Sequence, residues 1–206
     1  MNNGGELIET PEALAWDAQA VAATIQQERA RADAGIDDPW EGLTERFAPD
    51  PPGSPGDPGL TKIKAIVPAG ATLADVGAGA GRLTAPLASH CGKIIAVEPV
   101  PSMIAALEGH LRDREIRNVD VATSTWEEWA VDRVDSVDVV LMAHLLYGAA
   151  PITRFIQLAN ECAAERVVVL LSTSQPVQYY YPLWQTVHGE ERIPVPGADA
   201  FDDLLA

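Results

Sequence analysis

Apolar positions in the second half of the chain come in short continuous runs, with stretches of helical spacing between them. Thr72 to Val76, Lys93 to Glu98, Val119 to Thr123, Val137 to Met142 and Arg166 to Leu171 are such runs, each too short for a buried helix. They are not alternating, which is the pattern of strands covered on both faces. Gly81 to His90, Ser102 to Arg112 and Pro151 to Cys162 read as the intervening helices, and Trp126 to Trp129 as a short helical turn. Strands alternating with helices predict a doubly wound, mostly parallel α/β sheet with helices on both faces. A sixth and seventh strand are missing from the pattern. Either these strands lie beyond a truncation, or another subunit completes the sheet, or the fold is a shortened variant.

The first half differs. Thr10-Pro11-Glu12 is an N-cap, a proline at the first helical position and an acid in the first turn, so a helix is expected from Pro11 to about Ala34, stopped by Gly35. Ala13, Trp16, Ala20, Ala23 and Gln27 share one face of it, with Val21, Ile25 and Ala32 elsewhere. A short second helix ends near Phe47, and the two indoles of this cap, Trp16 and Trp40, call for burial. Four prolines and three glycines between Asp50 and Gly59 exclude a helix or central strand there. Leu60 to Ile66 forms a short helix ahead of the first strand. After Ser172 the periodicity fails in a stretch rich in tyrosine and proline, and Asp199 to Leu205 is a weak final helix. The expected organisation is a helical cap and linker over residues 1–59, an α/β core over 60–172, and a lid or acceptor-binding segment over 173–206.

A chain of 206 residues suffices for one sizeable core. Thirty acidic residues against fourteen basic ones, a net charge of −16, would repel a polyanion, so nucleic acid is not an expected partner. The apolar runs are too short for a membrane span, and MNNGGELIET lacks the basic start and apolar core of a signal peptide. Cys91 and Cys162 show no paired spacing, so neither a zinc site nor a disulfide framework is indicated. A cytoplasmic protein is expected, and a homodimer is left open.

The chemistry concentrates where the first strand ends. In Asp75-Val76-Gly77-Ala78-Gly79-Ala80-Gly81, Gly77 permits a tight turn off the strand, Gly79 lets a ligand approach the main chain beside Ala78, and Gly81 allows close entry to the helix. The amides of the helix start suit a pyrophosphate or the carboxylate of an amino-acid-like ligand. Glu98, 17 residues after Gly81, ends the second strand, where a carboxylate accepts hydrogen bonds from both hydroxyls of a ribose. Asp75 either orients the loop or holds an ammonium group.

Asp75 to Gly81 followed by Ala96-Val97-Glu98-Pro99 resembles the class I S-adenosylmethionine-dependent methyltransferases, whose loop reads E/DxGxGxG. The resemblance covers about residues 60 to 172 and implies S-adenosyl-L-methionine as cofactor. It assigns Asp75 and the three glycines to the cofactor loop and Glu98 to the ribose. The family's acid after the third strand is replaced here by Thr123-Ser124-Thr125-Trp126, so Ser124 and Thr125 stand where hydrogen bonds to adenine are made, and Trp126 either shields the base or fills the core. His144 and Tyr147 follow the fourth strand, where the family places groups near the transferred methyl; each is a catalytic or pocket residue on this reading, or a packed one. Tyr179 to Tyr181 and His188 fall in the expected lid. The Asn-Pro-Pro-Tyr pattern of base and amide methylation is absent, and so is a Pro-Cys pair. Methyl transfer to a small-molecule acceptor is the implied activity. A nicotinamide-dependent oxidoreductase is the weaker alternative, because the glycines are not spaced GxGxxG and no lysine follows Lys93. A non-catalytic binding or assembly domain is a further alternative.

Overall fold

The computed structural model describes residues 10–51, 57–173 and 180–205. They divide into two compact units, one built from Asp38–Ala143 and Leu158–Leu170, the other from Met1–Asp37, His144–Gln157 and Leu171–Ala206.

The first unit is an all-parallel sheet of β1 (Thr72–Val76), β2 (Lys93–Val97), β3 (Val119–Ala122), β4 (Val137–Ala143) and β5 (Ala163–Leu170), in the order β3-β2-β1-β4-β5. This is a doubly wound order. Its direction reverses between β1 and β4, and ligands of such sheets bind at that reversal, outside the carboxyl ends of the strands. Leu73, Ala74 and Val76 are all buried, as are Val139 to Met142, so both faces of the two central strands are covered. Leu73, Ile94, Val139 and Leu141 pack with Leu83, Leu87, Ile63 and Val67 in one apolar cluster, and Ala96 packs with Leu107 and Leu111. Asp75 is two residues on from Leu73 and therefore lies on the same face of its strand. Asp138 fixes the start of the β1–β4 pair, its Oδ2 accepting from the Thr72 amide at 2.7 Å.

The connections are α2 (Pro58–Ile66), α3 (Thr84–Ala88), α4 (Pro101–Asp113), α5 (Trp126–Ala130) and α6 (Ile152–Cys162). α3 is the largest departure from expectation, five residues in place of Gly81 to His90. Gly77, Gly79 and Gly81 all have positive φ, so the chain is still turning at Gly81, and Pro86 brings no amide to the helix it sits in. β5 starts earlier than expected, at Ala163, across a register irregularity between Val137 and Val139. Cys91 and Cys162 are both buried thiols. The expected linker lies partly outside the described residues, at 52–56.

In the second unit, α1 (Pro11–Asp33) is capped by Thr10, whose hydroxyl accepts from the Ala13 amide at 3.2 Å. Its buried face is Ala13, Trp16, Ala20, Ala23 and Gln26; the polar member is Gln26 rather than Gln27. The Trp16 indole donates to Ala149 O at 3.0 Å and packs edge-on to Phe201 of α8 (Ala198–Leu205). Gln26 satisfies three groups of the C-terminal segment: Nε2 donates to Glu191 O (2.7 Å), and Oε1 accepts from the Ile193 amide and from Arg192 Nη1 (both 2.8 Å). The stretch expected to lack structure contains α7 (Tyr181–His188), ended by Gly189 at φ 72; residues 174–179, Tyr179 among them, lie outside the described residues. No described helix is long and apolar enough to cross a membrane.

Replacing Gln26 by leucine keeps the volume and strands these partners. An unsatisfied buried group costs about 1–3 kcal/mol, so the melting temperature should fall by roughly 4–8 °C, with faster amide exchange at 190–193. An unchanged melt would show that Gln26 does not hold the segment.

Candidate functional site

The glycine loop is closed by its own hydrogen bonds. The amides of Gly77 and Ala78 both donate to Val97 O, at 2.9 and 3.2 Å, which folds the loop over the end of β2. The Gly81 amide donates to Ala78 O at 3.0 Å. A β-carbon on Gly81 would meet Leu107 Cδ1 at 2.6 Å with φ at +90°, so the close entry expected of this residue is what its backbone makes.

Glu98 fastens the loop to the next connection. Oε2 accepts from the Gly79 amide at 2.8 Å and Oε1 from the Val100 amide at 2.9 Å. The side chain is buried, and burial pushes its pKa up against the downward pull of those two amides. An ionised carboxylate offers about four acceptor positions, and these bonds use two. Asp75, also buried, accepts from the Thr84 hydroxyl at 2.6 Å. Burial first, and the charge of Glu98 less, raise Asp75 to about 6, while Thr84 pulls it down. Thr84 was not evident from sequence: it stands nine residues from Asp75, outside any motif.

The segment after β3 is firmly built. Thr125 caps α5, its hydroxyl accepting from the Glu128 amide (3.3 Å) while Glu128 Oε2 accepts from the Thr125 amide (3.1 Å). The spacing Thr-x-x-Glu is the readable signal for this box. The Ser124 amide donates to Ala122 O at 3.1 Å. Trp126 is buried and stacks on Trp129, with ring centres 5.8 Å apart, and the Arg133 guanidinium covers Trp129 at 4.7 Å.

His144 follows the last residue of β4 and belongs to the other unit. It has φ 56, a left-handed backbone that costs a non-glycine residue of order 1 kcal/mol. Its Nδ1 lies 3.3 Å from Tyr147 Oη and 3.4 Å from Ser172 Oγ, and Tyr147 Oη accepts from the Ser172 amide at 2.7 Å. The two residues expected together after the fourth strand are therefore in contact, with Ser172 as a third member that no sequence pattern indicated. With the proton on Nδ1, donated to either oxygen, the ring's lone pair is on Nε2.

The family model for a methyltransferase domain matches residues 73–165. The match supports a methyltransferase domain over these residues, just under half of the chain. Over 104 residues the chain is 31% identical to a ubiquinone biosynthesis O-methyltransferase of Azorhizobium caulinodans, a match covering 50% of this chain and 40% of that protein. The domain's fold is also that of the YcgJ protein of Bacillus subtilis (TM-score 0.55, 14% identity, 70% of this chain and 64% of that one). It is likewise shared by a SAM-dependent methyltransferase from Aquifex aeolicus (TM-score 0.50, 18% identity, 69% and 72%). The chain thus spans less than half of the curated relative it matches.

The Asp75 carboxyl gives the methyltransferase domain a testable pH signature. Its pKa in the folded chain is raised above the unfolded value, so the stability it contributes is complete below about pH 4 and is lost as pH rises through about 6. A shift of that size corresponds to about 3 kcal/mol in all, of which roughly 1 kcal/mol falls between pH 5 and 8. Asp75→Asn keeps an acceptor for Thr84 and should gain on wild type in thermal melts across that range. A difference independent of pH would contradict the assignment.

Proposed function

We propose that the chain binds S-adenosyl-L-methionine at the loop of Asp75, Gly77, Ala78, Gly79 and Gly81 and at Glu98, and transfers its methyl group to a small-molecule nucleophile by in-line displacement. The observation that carries this reading is Glu98: a buried carboxylate at the carboxyl end of β2, held by the Gly79 and Val100 amides, with acceptor capacity left for two ribose hydroxyls. A residue that must meet a diol in one orientation benefits from such fixing. Asp75 and Thr84 brace the loop from below, and the missing β-carbon of Gly79 allows close approach to its main chain. Ser124, Thr125 and Trp126 are assigned to the adenine end, with the Thr125 hydroxyl proton as donor and Trp126 as an apolar wall.

When bound, the cofactor supplies a methyl group on a sulfonium, already an activated leaving group. What the chain must add is alignment, exclusion of water and removal of one proton from the acceptor. We assign the proton to His144 Nε2, with Tyr147 and Ser172 fixing the ring through Nδ1. Oxygen is the preferred acceptor atom: a hydroxyl needs such a base, and the relative from Azorhizobium caulinodans is named an O-methyltransferase. The cytoplasm is the proposed compartment, in keeping with two buried thiols.

Calorimetric titration tests the cofactor reading. Wild type should bind S-adenosylhomocysteine in the micromolar range and NAD not at all, and Glu98→Ala should bind at least tenfold more weakly, about 1.4 kcal/mol. Equal affinity in the folded variant would remove Glu98 from the site. For the base, His144→Asn should hold S-adenosylhomocysteine within about twofold, and its transfer of labelled methyl to a panel of phenols should fall by roughly 10²–10⁴. Retained transfer would exclude His144 as the base.

A further inference from the structure

One stretch of the presumed N-terminal cap does not group with that cap. The unit boundary falls at Asp37–Asp38, and the stretch that follows is part of the sheet-bearing unit. It carries a 3₁₀ helix, Glu41–Phe47, which packs against α4, the helix that follows Glu98. Phe47 sits on the glycine loop itself. Its carbonyl accepts from the Arg82 amide at 3.0 Å, and its Cβ lies 3.7 Å from where a β-carbon on Gly79 would be. Trp40 packs edge-on against the Phe47 ring with centres 5.6 Å apart, and Asp38 Oδ1 accepts from the Trp40 amide at 2.8 Å. Further along, Pro49 O accepts from Arg114 Nη2 at 3.4 Å, beyond the end of α4. Residues 38–49 thus touch both elements that flank the carboxyl ends of β1 and β2, the place where a doubly wound sheet takes its ligand.

We infer that residues 38–49 form the third wall of the cofactor site, with Phe47, braced by Trp40, as a cofactor-contacting residue. The inference rests on the reading of the glycine loop as that site. Gly79 has room for a close approach, and the atom nearest the place of its missing β-carbon is Phe47 Cβ. A ligand that approaches the Gly79 main chain must therefore meet Phe47. An apolar ring there adds buried contact area to a ligand that the loop and Glu98 otherwise hold by polar groups. The segment is short and 3₁₀ in conformation, so it can shift to admit the ligand and settle back on it.

Hydrogen–deuterium exchange of the wild-type chain with and without S-adenosylhomocysteine tests this, beside calorimetry on Phe47→Ala and Trp40→Ala. Binding should slow exchange in peptides covering 41–47 as well as 77–82, and Phe47→Ala should weaken S-adenosylhomocysteine about tenfold, with Trp40→Ala intermediate. Wild-type binding that protects 77–82 but leaves 41–47 unchanged would overturn the inference and leave the cofactor site standing. Tighter binding by Phe47→Ala would also overturn it, since the ring would then only compete for the space. No binding by the folded wild type would overturn the cofactor reading and this inference together.

Discussion

A single carboxylate joins the parts of the methyltransferase domain that must keep register for a ligand. Glu98 takes the Gly79 amide with one oxygen and the Val100 amide with the other, so the loop after β1 and the turn into α4 are tied through one buried group. Burial of a charge is costly, and two amide donors are what make it tolerable here. A second buried acid, Asp75, lies under the same loop and is held by Thr84. Two buried carboxyls thus serve the turn of three left-handed glycines, Asp75 two residues before Gly77 and Glu98 through its bond to the Gly79 amide. An apolar loop of the same length would pack at less cost, and such expense concentrates at functional sites.

The sheet supplies the frame on which this is built. β1 and β4 are buried on both faces, and the strand order reverses between them, which opens the crevice at their carboxyl ends. The positive φ angles of Gly77, Gly79 and Gly81 carry the chain over that edge before α3 begins. His144 leaves β4 with a left-handed backbone of its own and is held by Tyr147 and Ser172. The loops after β1 and β4 thus carry left-handed residues, three glycines in one and His144 in the other.

The strands were legible because each is a continuous apolar run between polar stretches, and the glycine turn was legible because left-handed backbone at fixed spacing restricts residue type. α3 was misjudged because helical periodicity persists past the point where Pro86 and the glycine turn curtail the helix. α7 was hidden in a tyrosine- and proline-rich stretch, although Pro182 near its start and Gly189 at its end are ordinary boundary signals. Phe47 was grouped with the cap because its bond to the Arg82 amide is made by a backbone carbonyl, which leaves no mark on residue choice. Thr84 and Ser172 were missed for a related reason: a hydroxyl that positions another side chain from nine or twenty-eight residues away has no spacing rule.

The central claim is that the glycine loop and Glu98 together receive the cofactor. Amide NMR of the labelled chain titrated with S-adenosylhomocysteine tests it most directly, because the Gly79 and Val100 amides report on both oxygens of Glu98. The account predicts that these two resonances, with Gly77 to Gly81, move or broaden together at one affinity, while amides at the start of β5 stay in place. Saturable binding that leaves Gly79 and Val100 unmoved, or the absence of any shift in the folded chain, would contradict it.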